Sequence, residues 1–277
     1  MTDRVSILNA TTTAAAGLKS SSGRLDCQLI LANILNRSRT WLIAHSDELL
    51  SHSQYTEYLA HLKQLKRGAP VAYILGQQEF WSLPFRVSDA VLIPRPETEL
   101  LVEEVLALHP AHPIEVADLG TGTGAIAISL ALEKPEDTVY AIDNSIAAIR
   151  IAAGNRAELG ATNVRLCASS WLAAFAPASL DLIVSNPPYI AACDPHLPAL
   201  KFEPTQALVS GPDGLDDIRL LVTQGLVHLK PGGRIAIEHG FDQQPRIVDL
   251  MLEAGYRNIV GIEDLSGQPR LILAERP

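Results

Sequence analysis

The chain has 277 residues, 47% of them hydrophobic and 19% charged, which fits a folded globular protein of one large or two ordinary domains. No apolar run approaches the roughly 20 residues of a membrane span, and Cys27, Cys167 and Cys193 lack the Cys-x-x-Cys spacing of a zinc or redox site, so a cytoplasmic protein without membrane insertion is expected. The net charge of −9 is uneven, with +2 over residues 1–80 and −11 over the rest, and no basic stripe argues for long nucleic acid as a partner.

The first twenty residues lack the basic start and apolar core of a signal peptide, and Asp3 argues against a transit peptide. Leu25, Leu29 and Ala32, then Tyr55, Tyr58, Leu59, Leu62 and Leu65, recur at three- and four-residue steps, which predicts amphipathic helices. Pro70 is placed to open a last short helix that ends near Gly76. Residues 1–76 therefore read as a small helical domain. Over residues 77–96 the pattern becomes short and extended, with Glu79-Phe80-Trp81 and Phe85-Arg86-Val87 punctuated by Pro84, Pro94 and Pro96, which predicts a proline-rich, hairpin-like linker. Pro96-Glu97-Thr98-Glu99 then starts a helix with proline in its first turn and acids at the positive end of its dipole.

From Glu115 onward, strands and helices alternate. Strands are expected at Val116–Leu119, Val139–Ile142, 164–166, 182–184, Ile235–Ile237, 259–262 and 271–273, and helices at Ala125–Glu133, 145–159, 216–229 and Gln244–Ala254. That rhythm predicts an α/β domain over residues 97–277 with a seven-stranded, doubly wound, mostly parallel sheet, its last two strands antiparallel at an edge.

Gly120-Thr121-Gly122-Thr123-Gly124 follows the first of these strands and opens a helix, so its backbone can approach a ligand closely. Asp143 ends the second strand, where a carboxylate either accepts from ribose hydroxyls or caps the next helix. These features also satisfy a relaxed dinucleotide fingerprint, so an NAD-dependent oxidoreductase is one reading. The fourth strand favours another. It ends in Asn186-Pro187-Pro188-Tyr189, in which proline removes an N–H, fixes φ and holds the preceding residue extended. The Asn186 side-chain oxygen and the Pro187 carbonyl can each accept one hydrogen of a planar NH2 group, with the Tyr189 ring on its π face. Such a nitrogen is a poor nucleophile, and drawing on both hydrogens stabilises the positive charge it acquires on attack. A strand-ending turn with a capping Asn is the plainer alternative.

Taken together, these motifs resemble the bacterial peptide-chain release factor glutamine N5-methyltransferases. The likeness extends to Ile93-Pro94-Arg95-Pro96-Glu97-Thr98-Glu99, Glu79-Phe80-Trp81-Ser82-Leu83-Pro84, Phe202-Glu203-Pro204 with Ala207-Leu208, and Glu238-His239-Gly240, which covers nearly the whole chain. The glycine loop and Asn-Pro-Pro-Tyr taken singly are shared with adenine-N6 methyltransferases. The resemblance implies a Rossmann-like methyltransferase sheet and an S-adenosylmethionine site made by Gly120–Gly124, with Asp143 on the ribose, Trp171 beside the adenine and Asn186 near the methyl group. The acceptor implied is the glutamine amide of the Gly-Gly-Gln loop of class-I release factors, seated on Asn186, Pro187, Pro188 and Tyr189. It further implies that residues 1–76 help dock this protein substrate to a monomeric enzyme that holds no metal. Ribosomal-protein glutamine is the nearest alternative acceptor. Ser170 stands where relatives often carry Asp, and Trp171 also reads as an ordinary core aromatic.

Cys193, Asp194 and His196 lie in a proline-bounded loop with no second ligand cluster, which argues against a metal site. Glu238 and His239 end a strand near the expected acceptor, and either is a candidate proton acceptor. Arg95 between two prolines reads as a linker ion-pair partner or as a substrate contact.

Overall fold

The computed structural model of the chain describes residues 5–18 and 22–277, so Asp3 and the other residues on which part of the leader argument rests lie outside them. The chain forms two compact units, divided between Gln77 and Gln78.

The first unit is helical: α1 (Ile7–Ala16), α2 (Gly23–Leu35), α3 (Arg39–Ala44), α4 (His52–Lys66) and α5 (Val71–Leu75). Ser6, Ser38 and Ser51 cap α1, α3 and α4, and Ser51 forms a full capping box with Gln54. Pro70 precedes α5, and Gly76 closes it in the left-handed region. The buried face of α2 is Cys27, Ile30 and Leu31, which pack with Ile7, Tyr58 and Leu62. Of the expected positions Ala32, Tyr58 and Leu62 are buried, whereas Leu25 and Leu59 are exposed. Leucines recur on both sides of these helices, so spacing alone did not select the stripe that faces the core.

A hairpin of β1 (Gln77–Phe80), which starts at the boundary, and β2 (Leu83–Arg86) opens the second unit. Trp81, expected in a strand, instead forms the turn with Ser82, both at positive φ. Side-chain carboxylates hold it there, Glu99 accepting from the Trp81 backbone N–H at 2.7 Å and Glu133 from its indole N–H at 2.9 Å. Phe80 and Phe85 are fully buried and meet edge-on with ring centroids 6.1 Å apart. Buried Asn155 fastens the hairpin from the other side: its Oδ1 accepts from Arg86 N at 2.8 Å, and its Nδ2 donates to Arg86 O and to Thr123 O.

A 3₁₀ turn (Pro96–Thr98) leads into α6 (Glu99–Ala107). There follow β3 (Glu115–Leu119), α7 (Ala125–Glu133), β4 (Thr138–Asp143), α8 (Ile146–Leu159), β5 (Val164–Ala168), β6 (Leu180–Ser185), α9 (Asp216–His228), β7 (Leu229–Glu238), α10 (Gln244–Ala254), β8 (Arg257–Glu263) and β9 (Pro269–Glu275). The seven strands from β3 onward form one sheet in the order β5-β4-β3-β6-β7-β9-β8. The first five are parallel, and β9 enters antiparallel between β7 and β8, which leaves β8 at the edge. Helices α6, α7 and α8 cover one face, while α9 and α10 cover the other, so the central strands are near-continuous apolar runs.

The register fixes what emerges at the carboxyl edge. Leu119 pairs with both Ile142 and Ser185, and Ser185 pairs with Ile237. The next residue of each strand is therefore Gly120, Asp143, Asn186 or Glu238, and all four leave the sheet side by side. Between β3 and β6 the chain departs to opposite faces, which opens a crevice at this switch point.

Candidate active site

The glycine loop is shaped by backbone contacts that need positive φ. Gly120, Gly122 and Gly124 have φ of 74°, 55° and 81°. Gly120 N and Thr121 N both donate to Ile142 O at 2.9 Å, and Gly122 N donates to Asp143 Oδ2 at 2.9 Å. Asp143 Oδ1 accepts from Ser145 N at 2.9 Å. Asp143 thus links the loop to the start of α8 and also lines the cleft. Burial pushes its carboxyl up, against the pull of these backbone N–H groups.

Beneath the loop, Asp118 is completely buried, its Oδ2 accepting from Thr121 Oγ1 at 2.6 Å and Ala127 N at 3.1 Å. Its Oδ1 has no hydrogen-bond partner, and burial pushes the carboxyl up to about 7. Thr123 is buried and its carbonyl is held by Asn155. A methyl group built on Gly120 would touch the Trp171 ring at 3.5 Å. Bare glycine and Trp171 therefore form the floor and one wall of a cleft of about 770 Å³, closed by Ala90–Leu92 on one side and by Pro204 to Ala207 on the other.

Those two walls are tied together. Glu203, buried, accepts from Ile93 N at 3.2 Å and pairs with Arg95 at 2.5 Å. Arg95 is thus an ion-pair partner, and about a third of its side chain remains exposed.

Asn186, Pro187 and Tyr189 line a second pocket, with Arg95, Leu200 and Leu208. Leu92, Asn186 and Ala207 border both pockets, while Pro188 faces the cleft. Asn186 Nδ2 donates to Thr98 Oγ1 at 3.0 Å, and its Oδ1 is buried with no protein partner. The Tyr189 carbonyl accepts from Gln243 Nε2 at 2.9 Å, and burial pushes its phenol up to about 12, so the ring is neutral. Glu238 is buried behind Asn186 and pushed up to about 7 by desolvation, against hydrogen bonds from Thr98 and Asn186. His239 Nδ1 donates to Gly240 O at 2.8 Å and its Nε2 is buried without a partner, which lowers its proton affinity. Asp194 pairs with His196 at the surface, and Cys193 is exposed. No group of three His, Cys, Asp or Glu side chains among the described residues is arranged to hold a metal.

The anchoring roles of Thr98, Glu203 and Gln243 have no signature in the sequence. Thr98 and Glu203 lie within recognisable motifs, but each acts across about a hundred residues, where local spacing carries no signal. Gln243 lies in no motif.

The arrangement offers an elongated ligand a glycine floor and an indole wall, and presents one unpartnered carbonyl oxygen between that ligand and a second pocket. Residues 8–76 match the family described as PrmC N-terminal domain, and residues 96–200 match the Methyltransferase small domain. A release factor glutamine methyltransferase of Coxiella burnetii is 43% identical, over 93% of each chain. One from Escherichia coli is 39% identical, over 92% of each chain. A methyltransferase structure from Pyrococcus furiosus shares the fold with a TM-score of 0.54 at 16% identity, over 82% of this chain and 99% of that one. With relatives 39–43% identical over more than nine-tenths of its length, the chain belongs to the release factor glutamine methyltransferase family.

Proposed function

We propose that the chain transfers a methyl group from S-adenosylmethionine to the side-chain amide nitrogen of the glutamine in the Gly-Gly-Gln loop of class-I release factors. One observation carries this reading: Asn186 Oδ1 is a buried acceptor without a protein partner, on the wall between a nucleoside-sized cleft and a pocket lined by Pro187 and Tyr189. Leaving such an oxygen unpaired costs about 1–3 kcal/mol, so its natural partner is a donor on a bound molecule. The cleft fits the methyl donor on grounds of shape and polarity. Gly120 leaves room beside Trp171, Gly122 and Asp143 line the wall, and Asn144 and Ser145 edge the mouth. When bound, S-adenosylmethionine supplies an electrophilic methyl group on a sulfonium centre.

This chain's residues then position the acceptor. The Asn186 oxygen and the Pro187 carbonyl each take one hydrogen of the glutamine NH2, and the neutral Tyr189 ring packs on its face. As the nitrogen forms its new bond to the methyl carbon, the carbon–sulfur bond breaks and positive charge grows on nitrogen. Both acceptors bind that charged form more strongly than the ground-state amide, which is where the rate gain lies. The resulting amide cation is so acidic that water can take its proton, and no dedicated base is needed. An NAD-dependent oxidoreductase has no special use for Asn-Pro-Pro-Tyr, and the acidic balance of the chain disfavours duplex nucleic acid.

The relatives named for release factor glutamine support the release factors over a ribosomal protein as the acceptor. We assign substrate docking to the helical unit, action to the monomer and location to the cytoplasm, where termination occurs. Among the described residues no helix is long and apolar enough to cross a membrane. Radiolabelled methyl transfer with purified release factors, followed by mapping of the labelled residue, tests the assignment. Label on the Gly-Gly-Gln glutamine is expected, and label confined to a ribosomal protein or to DNA would replace it.

A further inference from the structure

We propose that Glu238 is a positioning residue for this reaction: together with Thr98 it selects the one orientation of the Asn186 carboxamide that turns Oδ1 toward the acceptor nitrogen. The inference rests on the methyl-transfer reading above and assigns a role to a group that touches neither reactant.

A carboxamide rotates about its last bond between two similar states that exchange oxygen and nitrogen. Proline at 187 sets the backbone of Asn186 but leaves that choice open. Its surroundings close it. Asn186 Nδ2 donates to Thr98 Oγ1 at 3.0 Å, and the buried Glu238 carboxylate lies next to both, near enough for their donor groups to lower its proton affinity. Of these three groups the carboxylate is the one that can only accept. If the amide flipped, Asn186 Oδ1 would face the carboxylate, and two acceptors would oppose each other in a buried place. Its NH2 would then face the acceptor's own N–H groups.

The carboxylate is well fixed for this task. Ser185 and Ile237 are paired, so Asn186 and Glu238 leave adjacent strands at the same level, and Glu238 is also paired with Leu271 on β9. The side chain is buried, and its Oε2 makes no hydrogen bond, so no other group among the described residues competes at that oxygen. Selection depends on ionisation, because a protonated carboxyl can donate to a flipped Oδ1. The charged and titratable groups that face Glu238 are Glu97 from the 3₁₀ turn, Tyr189 beyond β6 and Arg270 on β9. Arg270 favours the ionised form, Glu97 opposes it and Tyr189 stays neutral. Burial outweighs them and places the transition near neutral pH.

The test compares wild type, E238Q, N186A and the double variant by single-turnover methylation of a release factor from about pH 6 to 9, a range that brackets the expected transition. In wild type the rate should climb through an apparent pKa near neutrality. E238Q keeps the size of the side chain but can both donate and accept, so its rate should fall by about 10-fold to 100-fold, as when the partner behind a functional ligand is lost. Its acid limb should vanish, with donor affinity unchanged. In the N186A background, E238Q should cost nothing further. A parental rate and pH profile in E238Q, or an equal loss in both backgrounds, would overturn the proposal. A second measurement needs neither a folded variant nor the assigned substrate. The Asn186 side-chain NH2 signals of ¹⁵N-asparagine-labelled wild-type protein should move through the same transition, and signals that ignore pH would sink the role of Glu238 even if the release factor proved not to be the acceptor. Absence of methylation with pH-responsive signals would fault the function assignment alone.

Discussion

The Asn186 amide and the Thr98 hydroxyl meet at 3.0 Å although 88 residues separate them in the chain. The contact joins Pro-Glu-Thr, at the entrance to α6, to Asn-Pro-Pro-Tyr, at the end of β6. Neither motif makes a site alone. The turn supplies an anchor, and the strand end supplies the group that is anchored.

Substitution of Asn186 by Ala should leave the fold and donor binding nearly intact, because the side chain borders the donor cleft without forming its floor. Methyl transfer should fall by about 10² to 10³ in kcat, the usual loss for one preorganised hydrogen-bonding group. Single-turnover rates at saturating donor measure it. A rate within about threefold of wild type would reduce Asn186 to a turn cap.

Two glycines should separate the half-sites. At Gly120 an added Cβ meets Trp171 at 3.5 Å, and alanine in the left-handed region costs about 1–2 kcal/mol. Gly120→Ala is expected to weaken donor binding by calorimetry. At Gly214 a Cβ would lie 2.3 Å from Tyr189 O and 2.7 Å from Gln243 Nε2, so Gly214→Ala must displace the bond that holds Tyr189. It should raise the KM for the release factor and spare donor affinity. Identical profiles for the two variants would contradict the division.

Arg95→Ala should destabilise the chain by about 1–3 kcal/mol in denaturant unfolding. Breaking a buried ion pair by removing one partner typically costs about 3–5 kcal/mol, and the partial exposure of Arg95 reduces that. Glu203→Gln should be milder, since it keeps an acceptor for Ile93 N. If Arg95→Ala unfolds like wild type, the pair is not what joins the walls of the cleft.

Stability should decline as pH rises from about 4 to 7. Asp118 has its carboxyl raised from the ordinary range near 4 to about 7 by burial, so over this range the folded protein keeps a proton that the unfolded chain has released. Its contribution is complete below about pH 4 and is lost as pH approaches 7. Asp118→Asn retains an acceptor for Thr121 and Ala127 and should flatten this slope. Glu238 and Asp143 are shifted the same way, so part of the slope should persist in the variant. Urea unfolding at several pH values reads it, and a variant with the full wild-type slope would clear Asp118 of the effect.

The α/β alternation was legible because strands buried on both faces are short apolar runs, and because α8 carries a serine cap at Ser145 and a glycine stop at Gly160. Helix α7 begins after Gly124 and ends at Glu133, as its sequence predicts. Places where tertiary contacts override local preference were not legible. Trp81 has strong strand propensity, yet Glu99 and Glu133 draw it into a positive-φ turn. The buried stripe of α2 was misplaced because its hydrophobic residues are not confined to one face. In the site, the emergent edge of Gly120, Asp143 and Asn186 followed from motif and strand order. The supports for these residues, Thr98, Glu203 and Gln243, depend on register between distant strands and loops, which no local pattern encodes.

Asn155 has a bearing on how relatives of this chain can exchange parts. By gripping both Arg86 and Thr123 it makes the hairpin an integral piece of the glycine-loop scaffold, and Phe80 and Phe85 are inside the same core. A recombination junction at Pro96, at the start of the 3₁₀ turn, would strand both phenylalanines and orphan a buried amide. A junction between Gly76 and Gln77 severs none of these bonds. Chimeras that trade helical segments among homologues should therefore be viable when spliced there, and inviable when spliced twenty residues later.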